Sequence, residues 1–480
     1  MTRRDTLLAT LERALERTPP ALEEDGSIRL QTLFSVPRRI NSVYPWAHVG
    51  GGEPVATWQE HVVITAGWEP HGGSERLFYA LELYVYTIPA QSAALVYVSK
   101  LDSTGFGPPA VPSNIRQHLD GKERDSPSLT TTLTAAAIEH FASRRHWETS
   151  VNHIALHIFA RSQAAYLFPA SPNNKNKRIL SDTALIRWWR ACISEAIHAV
   201  PVCRTDAYYV LPGIAQLDSR TLVPLPHGAD RVSAARWKYG HPYSEEGTGG
   251  ELPPLPLHPQ PDEARSSNGA WFPLKRTLAT TIPIFPDDPK GRFVRELANQ
   301  AHEPGVARPS GLTHTERAAL MERQALDRTS IDAYWEGLGF RQECSSGNIA
   351  GVFIVGFTGN EVDGEREAPV AQAYALPHPM LSDLVLEYIQ QDKCDWSGED
   401  APRLTHRYYE AVDRALRRKG GLGNAPEGHS ARGKVWTCIQ LQAIKSDART
   451  VAQERAARTD ASRSGATSCV HTLTVKRRRK

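Results

Sequence analysis

Apolar and polar residues alternate along several short stretches of the chain, and these stretches predict β-strands. The clearest runs from Leu77 to Val85, where every second residue is apolar, and it predicts a strand over Leu77–Ile88. The turn that begins at Pro89 leads into a second predicted strand, Ala93–Lys100, so the two form a hairpin. Further apolar runs predict strands at Val151–Ala160, Asn348–Phe357 and Lys434–Ala443. Residues 18–58 show no such pattern and are predicted to be rich in loops.

Helical periodicity lies between the predicted strands. Leu7, Leu8, Leu11 and Leu15 share one stripe and predict a helix over Asp5–Arg17. Further helices are predicted at Thr134–Arg144, after the capping residue Ser181, and at Arg292–His302, Thr313–Ala325, Ser330–Phe340, Pro379–Gln390 and Leu404–Lys419. This interleaving predicts an α/β fold, with one elaborated domain built around a central mixed β-sheet that helices surround.

Two segments depart from this periodicity. Residues 212–275 are rich in proline and glycine, and we expect either a mobile loop or lid, or a disordered insertion without a function. Residues 445–480 contain ten Lys and Arg against three Asp and Glu, and they predict a basic, disordered tail. Since the whole chain has a net charge of +3, residues 1–444 carry about −4 and form the predicted domain, which includes the insertion.

Composition narrows the class of protein. Hydrophobic residues make up 40% of the chain and charged residues 23%, as is usual for a globular protein. The six cysteines lie far apart, which argues against a zinc site or a disulfide framework and favours a reducing compartment. The sequence has neither an apolar run of membrane-spanning length nor a signal peptide, so we expect a soluble, intracellular protein without a membrane partner.

The segment richest in candidate chemistry is Thr281–Phe293. A short apolar strand is predicted to lead into Pro286-Asp287-Asp288-Pro289, which we call the carboxylate turn. The two prolines make this turn stiff and non-helical, so the adjacent acids diverge and have different roles. One is expected to be structural and to pair with Arg292, while the other takes a proton. The alternative is a charged turn in which an aspartate caps the following helix.

Aromatic residues supply a second candidate. Trp188 and Trp189 are adjacent on a predicted helix and point about 100° apart, so one could lie in the core while the other faces a cleft. Together with Tyr166 and Phe168, a cleft tryptophan would form an aromatic channel for the stem and cation of a lysine. The alternative is that both tryptophans belong to the core.

A cationic turn contains Lys175, Lys177 and Arg178 and lies just before the helix that begins near Ser181. Cations beside the free N–H groups of a helix start form a phosphate-binding site. The alternative is a solvated surface turn.

Five segments occur in an order that resembles the fungal histone acetyltransferase family called regulator of Ty transposition. They are Leu81–Tyr86, Val98–Asp102, Ala165–Pro169, Arg187–Trp189 and Ile284–Lys290, and the resemblance covers roughly residues 77–443. It implies a fold similar to the acetyltransferase domain of the metazoan CREB-binding protein. It also implies acetyl-CoA as co-substrate, no metal, lysines of newly made histone three as substrate, histone three–four complexes and histone chaperones as partners, and the nucleus as location.

The resemblance also implies the site residues. Asp288 matches the family's proposed proton acceptor or donor and Asp287 its neighbour, while Lys290 matches a lysine that the family acetylates on itself. Trp189 and Tyr166 match residues that line the lysine channel. The positions that match the acetyl-CoA site are Leu101, Asp102, Ser103, Phe159, Gln163, Arg178, Ile179, Leu180 and Trp188. Where the family usually has arginines this chain has residues 126–131, Ser-Pro-Ser-Leu-Thr-Thr, so Lys175 or Lys177 is expected to replace their phosphate contacts.

The chemistry of lysine acetylation fits these residues. A free lysine has a pKa of about 10.4, so only about one in 2,500 is neutral at pH 7 and a proton acceptor is needed. Asp288 would act best if Phe285 and Trp189 removed it from water. No cysteine stands in a motif for a covalent intermediate, which favours direct transfer. Two other classes stay open: an inactive adaptor for histone chaperones, and a nucleic-acid-binding protein, which the acidic body disfavours and for which no sequence-specific contact is predicted.

Overall fold

The computed structural model describes residues 6–18, 20, 22–49, 53–109, 128–143, 146–147, 151–200, 204–224, 237–243, 277–300, 313–341, 344, 348–358, 375–420 and 435–443. Their helices are α1 (Leu7–Arg17), α2 (Leu129–Ala142), α3 (Asp182–Ala199), α4 (Gln216–Leu222), α5 (Leu278–Thr281), α6 (Pro289–Asn299), α7 (His314–Arg328), α8 (Ile331–Gly339), α9 (His378–Tyr388) and α10 (Ala401–Gly420). Their strands are β1 (Gly26–Ser35), β2 (Arg38–Ile40), β3 (His48–Val49), β4 (Glu53–Pro54), β5 (Thr57–Pro70), β6 (Arg76–Ile88), β7 (Ala93–Ser103), β8 (His153–Ala160), β9 (Arg204–Val210), β10 (Trp237–Tyr239), β11 (Gly351–Thr358), β12 (Ala375–Leu376) and β13 (Trp436–Leu441).

Eleven of these strands form one sheet, in the order β10-β9-β11-β8-β7-β6-β5-β1-β12, with β13 beside β1 and β2 beside β5. The pairs β7–β8, β9–β10 and β1–β12 are parallel, whereas the long meander from β5 to β7 is antiparallel. The predicted central mixed sheet surrounded by helices is therefore confirmed. The strands β3 and β4 form a separate small ladder.

Side chains of the sheet alternate between two faces, and each face has its own apolar core. On β8, Ile154, Leu156 and Ile158 join the cluster that contains α1, α2 and α3. His157 and Phe159 point to the opposite face, where Phe159 packs beside the cluster of α5 to α8. The helices α9 and α10 cover another part of that face, over β1, β5 and β6. The sheet thus separates α3 from the segment that contains the carboxylate turn.

The prediction that residues 18–58 are rich in loops is only partly right, because it missed a long strand. The ten-residue strand β1 lies here and β5 begins here, and every residue of β1 except Arg29 is buried. Apolar clusters cover both faces of β1, with Ile28 and Leu30 on one and Leu33 on the other. The sequence of β1 alternates only briefly, with Ile28 and Leu30 between polar Ser27, Arg29 and Gln31, before Thr32 and the adjacent Leu33 and Phe34 break the pattern. So short an alternation did not indicate a ten-residue strand.

Residues 212–275 are only partly a loop. The short helix α4 and the edge strand β10 lie within them, and the rest lies outside the described residues, as does the predicted tail 445–480. The roles of both segments and the domain bounds stay predictions. Within the described ranges, no helix has both the length and the apolar content needed to cross a membrane.

The parallel strands β7 and β8 part at one end, and this opening positions the candidate site. Their pairing runs from Ala93–His153 to Val98–Ile158. Beyond that point β7 follows β6 as far as Ser103, while β8 follows β11 as far as Ala160. The end of the sheet where these two strands diverge is the β7–β8 opening.

Candidate active site

The carboxylate turn is set by backbone geometry. Helix α5 ends at Thr281 and residues 282–285 belong to no strand, so the apolar strand predicted before the turn is wrong. Asp287 has a φ of 54°, a left-handed conformation uncommon outside glycine, and it turns the chain sharply. Asp288 is then the N-cap of α6, and its carboxylate accepts a hydrogen bond from the backbone N–H of Lys290. Pro289 occupies the first helical turn, where its missing N–H costs nothing.

Asp288 and Lys290 form a buried ion pair. The Lys290 Nζ lies 3.0 Å from Oδ1 and 2.7 Å from Oδ2 of Asp288, and both residues are 1% exposed. The ammonium also lies 5.7 Å from the ring of Phe159 and 5.9 Å from the rings of Tyr97 and Phe285, within cation–π range. Removing two charges from water is costly, and only such close pairing offsets it.

Asp287 is the accessible acid of the turn. Its side chain is 77% exposed, and its Oδ2 lies 3.5 Å from the Nζ of Lys100 on β7. The ion pair expected with Arg292 is thus replaced by two lysine pairs, one for each acid. The two acids do diverge into different environments, as predicted. However, the buried and paired one is Asp288, and the one open to a substrate is Asp287.

Lys100 links Asp287 to a buried polar network. Its Nζ lies 3.4 Å from Oε2 of Glu82, and Oε1 of Glu82 accepts a hydrogen bond from Nε2 of the fully buried His61 at 2.9 Å. Burial alone would raise the pKa of the Glu82 carboxyl, but the hydrogen bond from His61 and the charge of Lys100 hold it below its usual value. Sequence reasoning missed Glu82, His61 and Lys100, because their pairing depends on the cross-strand register of β5, β6 and β7.

The predicted acetyl-CoA positions gather around the β7–β8 opening. Leu101, Asp102 and Ser103 end β7, and Phe159 lies one residue from the end of β8. Gln163 follows β8 directly, and the Ser162 hydroxyl beside it donates to the carbonyl of Leu180. Arg178, Ile179 and Leu180 precede α3, and Trp188 lies on it. The structure therefore brings all these positions to one end of the sheet.

Features for a phosphate-bearing ligand are present there. Arg178 is exposed, and Ile179 presents an apolar side chain that is 49% exposed. Ser181 occupies the N-cap of α3, but its side chain makes no capping hydrogen bond, contrary to the prediction. The first N–H groups of the helix therefore have no side-chain cap, and such groups bind anions.

Asp102 organises the loop beyond the opening. Its Oδ2 accepts the backbone N–H groups of Tyr166, Leu167 and Phe168 at 2.8–3.0 Å, and its Oδ1 lies 2.7 Å from Nζ of Lys177. Its carboxylate is thus engaged by the protein itself. Lys177 is 5% exposed and ion-paired, so the prediction that it replaces missing phosphate-binding arginines is wrong. Lys175 is exposed, and its replacement of the arginine contacts to phosphate stays a prediction.

The aromatic residues divide between core and surface. Trp189 is buried in the core of α1, α2 and α3, on the face of the sheet opposite Phe285, so the prediction that it removes Asp288 from water is wrong. Trp188 is half-buried, and its Nε1 donates to the Thr131 hydroxyl at 2.9 Å. The two residues differ in burial, as predicted, but Trp188 packs against the same core as Trp189, so a cleft position for Trp188 stays a prediction. Their role in a lysine channel stays a prediction.

Tyr166 belongs to the loop that Asp102 organises, and its side chain reaches back to the β7–β8 opening. Its hydroxyl donates to the carbonyl of Arg161, just beyond β8. Burial raises the pKa of Tyr166 above its usual value, so the phenol stays protonated and serves as a donor. The structure thus places Tyr166 at the end of β8, beside the predicted acetyl-CoA positions.

A cavity of about 320 Å³ opens beside Asp287. We call it the arginine cavity, and its walls are Arg38, Ile40, Ser42, Val43, Gln59, Tyr86, Ile284, Phe285, Pro286, Asp287, Gly291, Arg292 and Arg295. Sequence reasoning did not find it, because β2, β5 and α6 meet here from distant parts of the chain. Among the described residues, no group of three or more His, Cys, Asp or Glu side chains is arranged to hold a metal ion.

Comparison with known proteins identifies the class to which this fold and site belong. Residues 111–385 match the histone acetyltransferase KAT11-type domain, and the chain belongs to that family. The matched range includes the carboxylate turn, Tyr166 and both tryptophans, whereas Leu101–Ser103 precede it.

Individual relatives are fungal. The chain is 26% identical over 324 residues to "Histone acetyltransferase rtt109" of Aspergillus flavus, a match that covers 63% of this chain and 49% of that protein. It is 25% identical over 291 residues to "Histone acetyltransferase rtt109" of Schizosaccharomyces pombe, covering 58% and 56%. The chain thus spans about half the length of these relatives. The resemblance to fungal acetyltransferases is confirmed.

A solved structure has the same fold. The crystal structure of Rtt109 from Aspergillus fumigatus superposes with a TM-score of 0.62 at 20% sequence identity, over 92% of this chain and 100% of that one. At this identity the similarity concerns the fold alone.

Proposed function

We propose that this protein transfers the acetyl group of acetyl-CoA directly to lysine side chains of histones. The observation that carries the proposal is the Lys100–Asp287 ion pair, which joins the exposed carboxylate to the end of β7. Lys100 directly precedes Leu101, Asp102 and Ser103, and it lies where β7 and β8 no longer pair. A ligand in this opening would therefore reach Asp287 on one face of the sheet while it contacts the predicted acetyl-CoA positions. The names of the two relatives support the same activity.

The residues at the β7–β8 opening fit acetyl-CoA. Arg178 and the uncapped N–H groups at the start of α3 would hold its phosphates, and Ile179 and Leu101 offer apolar surface. When bound there, acetyl-CoA supplies an acetyl thioester that is activated for attack by an amine. Phe159 and Tyr166, which border the opening, would shield that end of the sheet from water.

Asp287 is the side chain best placed to take a proton from the incoming lysine ammonium. It is exposed, whereas both oxygens of Asp288 are occupied by Lys290. Lys100 holds the Asp287 carboxylate toward β7, and the Asp288–Lys290 pair fixes the backbone of the turn from beneath. Asp288 would take the proton only if Lys290 left its place, so the role first expected of Asp288 is the second candidate.

The finer substrate and partners follow from the family resemblance. We infer that the substrate is newly synthesised histone three in histone three–four complexes, that histone chaperones stimulate the transfer, and that the protein acts in the nucleus. The basic tail at 445–480, which is outside the described residues, has the charge to meet acidic chaperones.

The deciding experiment is an assay with radiolabelled acetyl-CoA and histone three–four complexes, with and without an acidic histone chaperone. Label is expected on histone three and more of it with the chaperone. Histone binding without any transfer of label would instead identify the inactive adaptor. The variant Asp287→Asn serves as control for enzyme-dependent transfer.

A further inference from the structure

The arginine cavity places the guanidinium groups of Arg38 and Arg295 beside the proposed acceptor. Arg292 also lines the cavity, and among the described residues Asp287 is the one acidic residue of its wall. Asp287 is itself partly neutralised by Lys100. Within the described structure, neither Arg38 nor Arg295 forms an ion pair. A cavity with unneutralised guanidinium groups is suited to an anion.

Arg38 is held in place by neutral groups. Its Nε and Nη2 both donate to Oε1 of Gln59, at 2.8 and 2.7 Å, and Gln59 is 2% exposed. The amide of Gln59 in turn donates to the hydroxyl of Tyr86 at 3.1 Å, and the Tyr86 ring packs on Phe285. The buried scaffold therefore fixes the guanidinium without neutralising it. Because the Arg38 side chain is already held in one orientation, it loses little conformational freedom when an anion binds.

We propose that the arginine cavity binds a carboxylate side chain of the peptide that presents the acceptor lysine, and so selects lysines with an acidic neighbour. This inference rests on the proposed function, because Asp287 is both a wall of the cavity and the proposed proton acceptor. An extended peptide advances about 3.3 Å per residue, so a residue one to three positions from the lysine would lie several ångströms from Asp287. Because Asp287 is itself a wall residue of the cavity, such a neighbouring side chain could enter the cavity while the lysine meets Asp287.

The test uses lysine peptides that differ in a single residue. In one set a glutamate is moved through the three positions on either side of the lysine, and in the matched set glutamine replaces it. We expect kcat/KM to be about three- to tenfold higher with glutamate at the best position, as for a partly exposed charged contact. Raising the salt concentration should reduce this ratio, since exposed charges are screened within about 8 Å at physiological ionic strength.

Variants locate the effect. Arg38→Met and Arg295→Gln should each lower the glutamate-to-glutamine ratio toward one, and Arg295→Gln does so without disturbing Gln59. Arg403→Gln removes an exposed arginine of α10 that pairs with Asp400, outside the cavity, and should keep the native ratio. A native ratio of one at every position, or an unchanged ratio in both cavity variants, overturns the inference.

A binding measurement separates this inference from the proposed function. If no peptide and no histone is acetylated, the proposed function fails, and fluorescein-labelled peptides then test the cavity through fluorescence anisotropy. Tighter binding of the glutamate peptide, lost in Arg295→Gln, supports the cavity. Equal binding of an acidic peptide that lacks lysine overturns the assignment to the acceptor peptide and indicates an acidic segment of another protein.

Discussion

The ammonium of Lys290 contacts both carboxylate oxygens of Asp288, at 2.7 and 3.0 Å, with neither residue reaching solvent. Acetylation of Lys290, which the family resemblance implies, would remove the positive charge that neutralises Asp288. An acetyl group on Lys290 would therefore leave a buried carboxylate without a counter-ion, so this modification would destabilise the observed conformation of the carboxylate turn.

Removing Lys290 should destabilise the protein. Lys290→Met leaves the Asp288 charge buried and unpaired, which should lower the free energy of unfolding by about 3–5 kcal/mol. The double variant Asp288→Asn/Lys290→Met removes both charges and should recover part of that loss. Chemical denaturation of the two single variants and the double variant measures this coupling. If the changes in the free energy of unfolding of the two single variants simply add up in the double variant, the ion pair does not stabilise the protein.

The two adjacent acids should separate activity from stability. Asp287→Asn removes an exposed carboxylate and should lower kcat about 10²–10⁴-fold while the melting temperature stays near that of the native protein. Asp288→Asn should lower the melting temperature, because Lys290 then remains buried without its partner. Steady-state kinetics and thermal melting of both variants check this. If Asp287→Asn is fully active and a stably folded Asp288→Asn loses activity, the proton acceptor is Asp288 and not Asp287.

Trp189 should behave as a core residue. It is 4% exposed among the helices α1 to α3, so Trp189→Ala should lower the free energy of unfolding by about 3–5 kcal/mol. The half-buried Trp188 is the matched control, and Trp188→Ala should cost less stability. Urea denaturation compares the two. If Trp189→Ala instead keeps its stability and loses only turnover with histones, the lysine-channel role is right.

A histidine pair should make stability depend on pH. Nε2 of His140 and Nδ1 of His146 lie 3.0 Å apart, and Nδ1 of His140 contacts the Thr10 hydroxyl. Burial lowers the pKa of His140 well below its usual value and that of His146 to about 4. The unfolded chain, whose histidines titrate near a pKa of about 6.5, therefore binds more protons than the folded protein in this range.

The free energy of unfolding should consequently be independent of this histidine pair above about pH 6.5 and should decrease as the pH falls from about 6.5 toward 4. Denaturation of the native protein and of His146→Phe at a series of pH values measures the slope. The variant should show a shallower decrease, because one of the two histidines that gain a proton on unfolding is gone. Identical slopes would assign the effect to other groups.

Much of the fold follows from local patterns in the sequence. The hairpin predicted over Leu77–Ile88 and Ala93–Lys100 appears as β6 and β7, and the predicted helices α1, α7 and α8 differ from their observed bounds by a few residues. Local periodicity is sufficient for the helices, because one face of each is buried and the other meets solvent. The strand β6 was found from its regularly spaced large apolar residues, although both of its faces are buried. The strand β1 was missed because its apolar and polar residues alternate only over residues 27–31.

The order of segments also indicated the family, and Pro286 and Pro289 indicated a stiff turn with diverging acids. Contacts between distant segments determine which of the two acids is buried. The left-handed backbone at Asp287 points its side chain outward, and the first turn of α6 returns Lys290 to Asp288. The partner of Asp287 comes from Lys100 on β7, and the arginine cavity forms where β2, β5 and α6 meet. Charges distant in sequence meet only after the sheet has set its register, so the sequence pattern could name the acids but could not assign their partners.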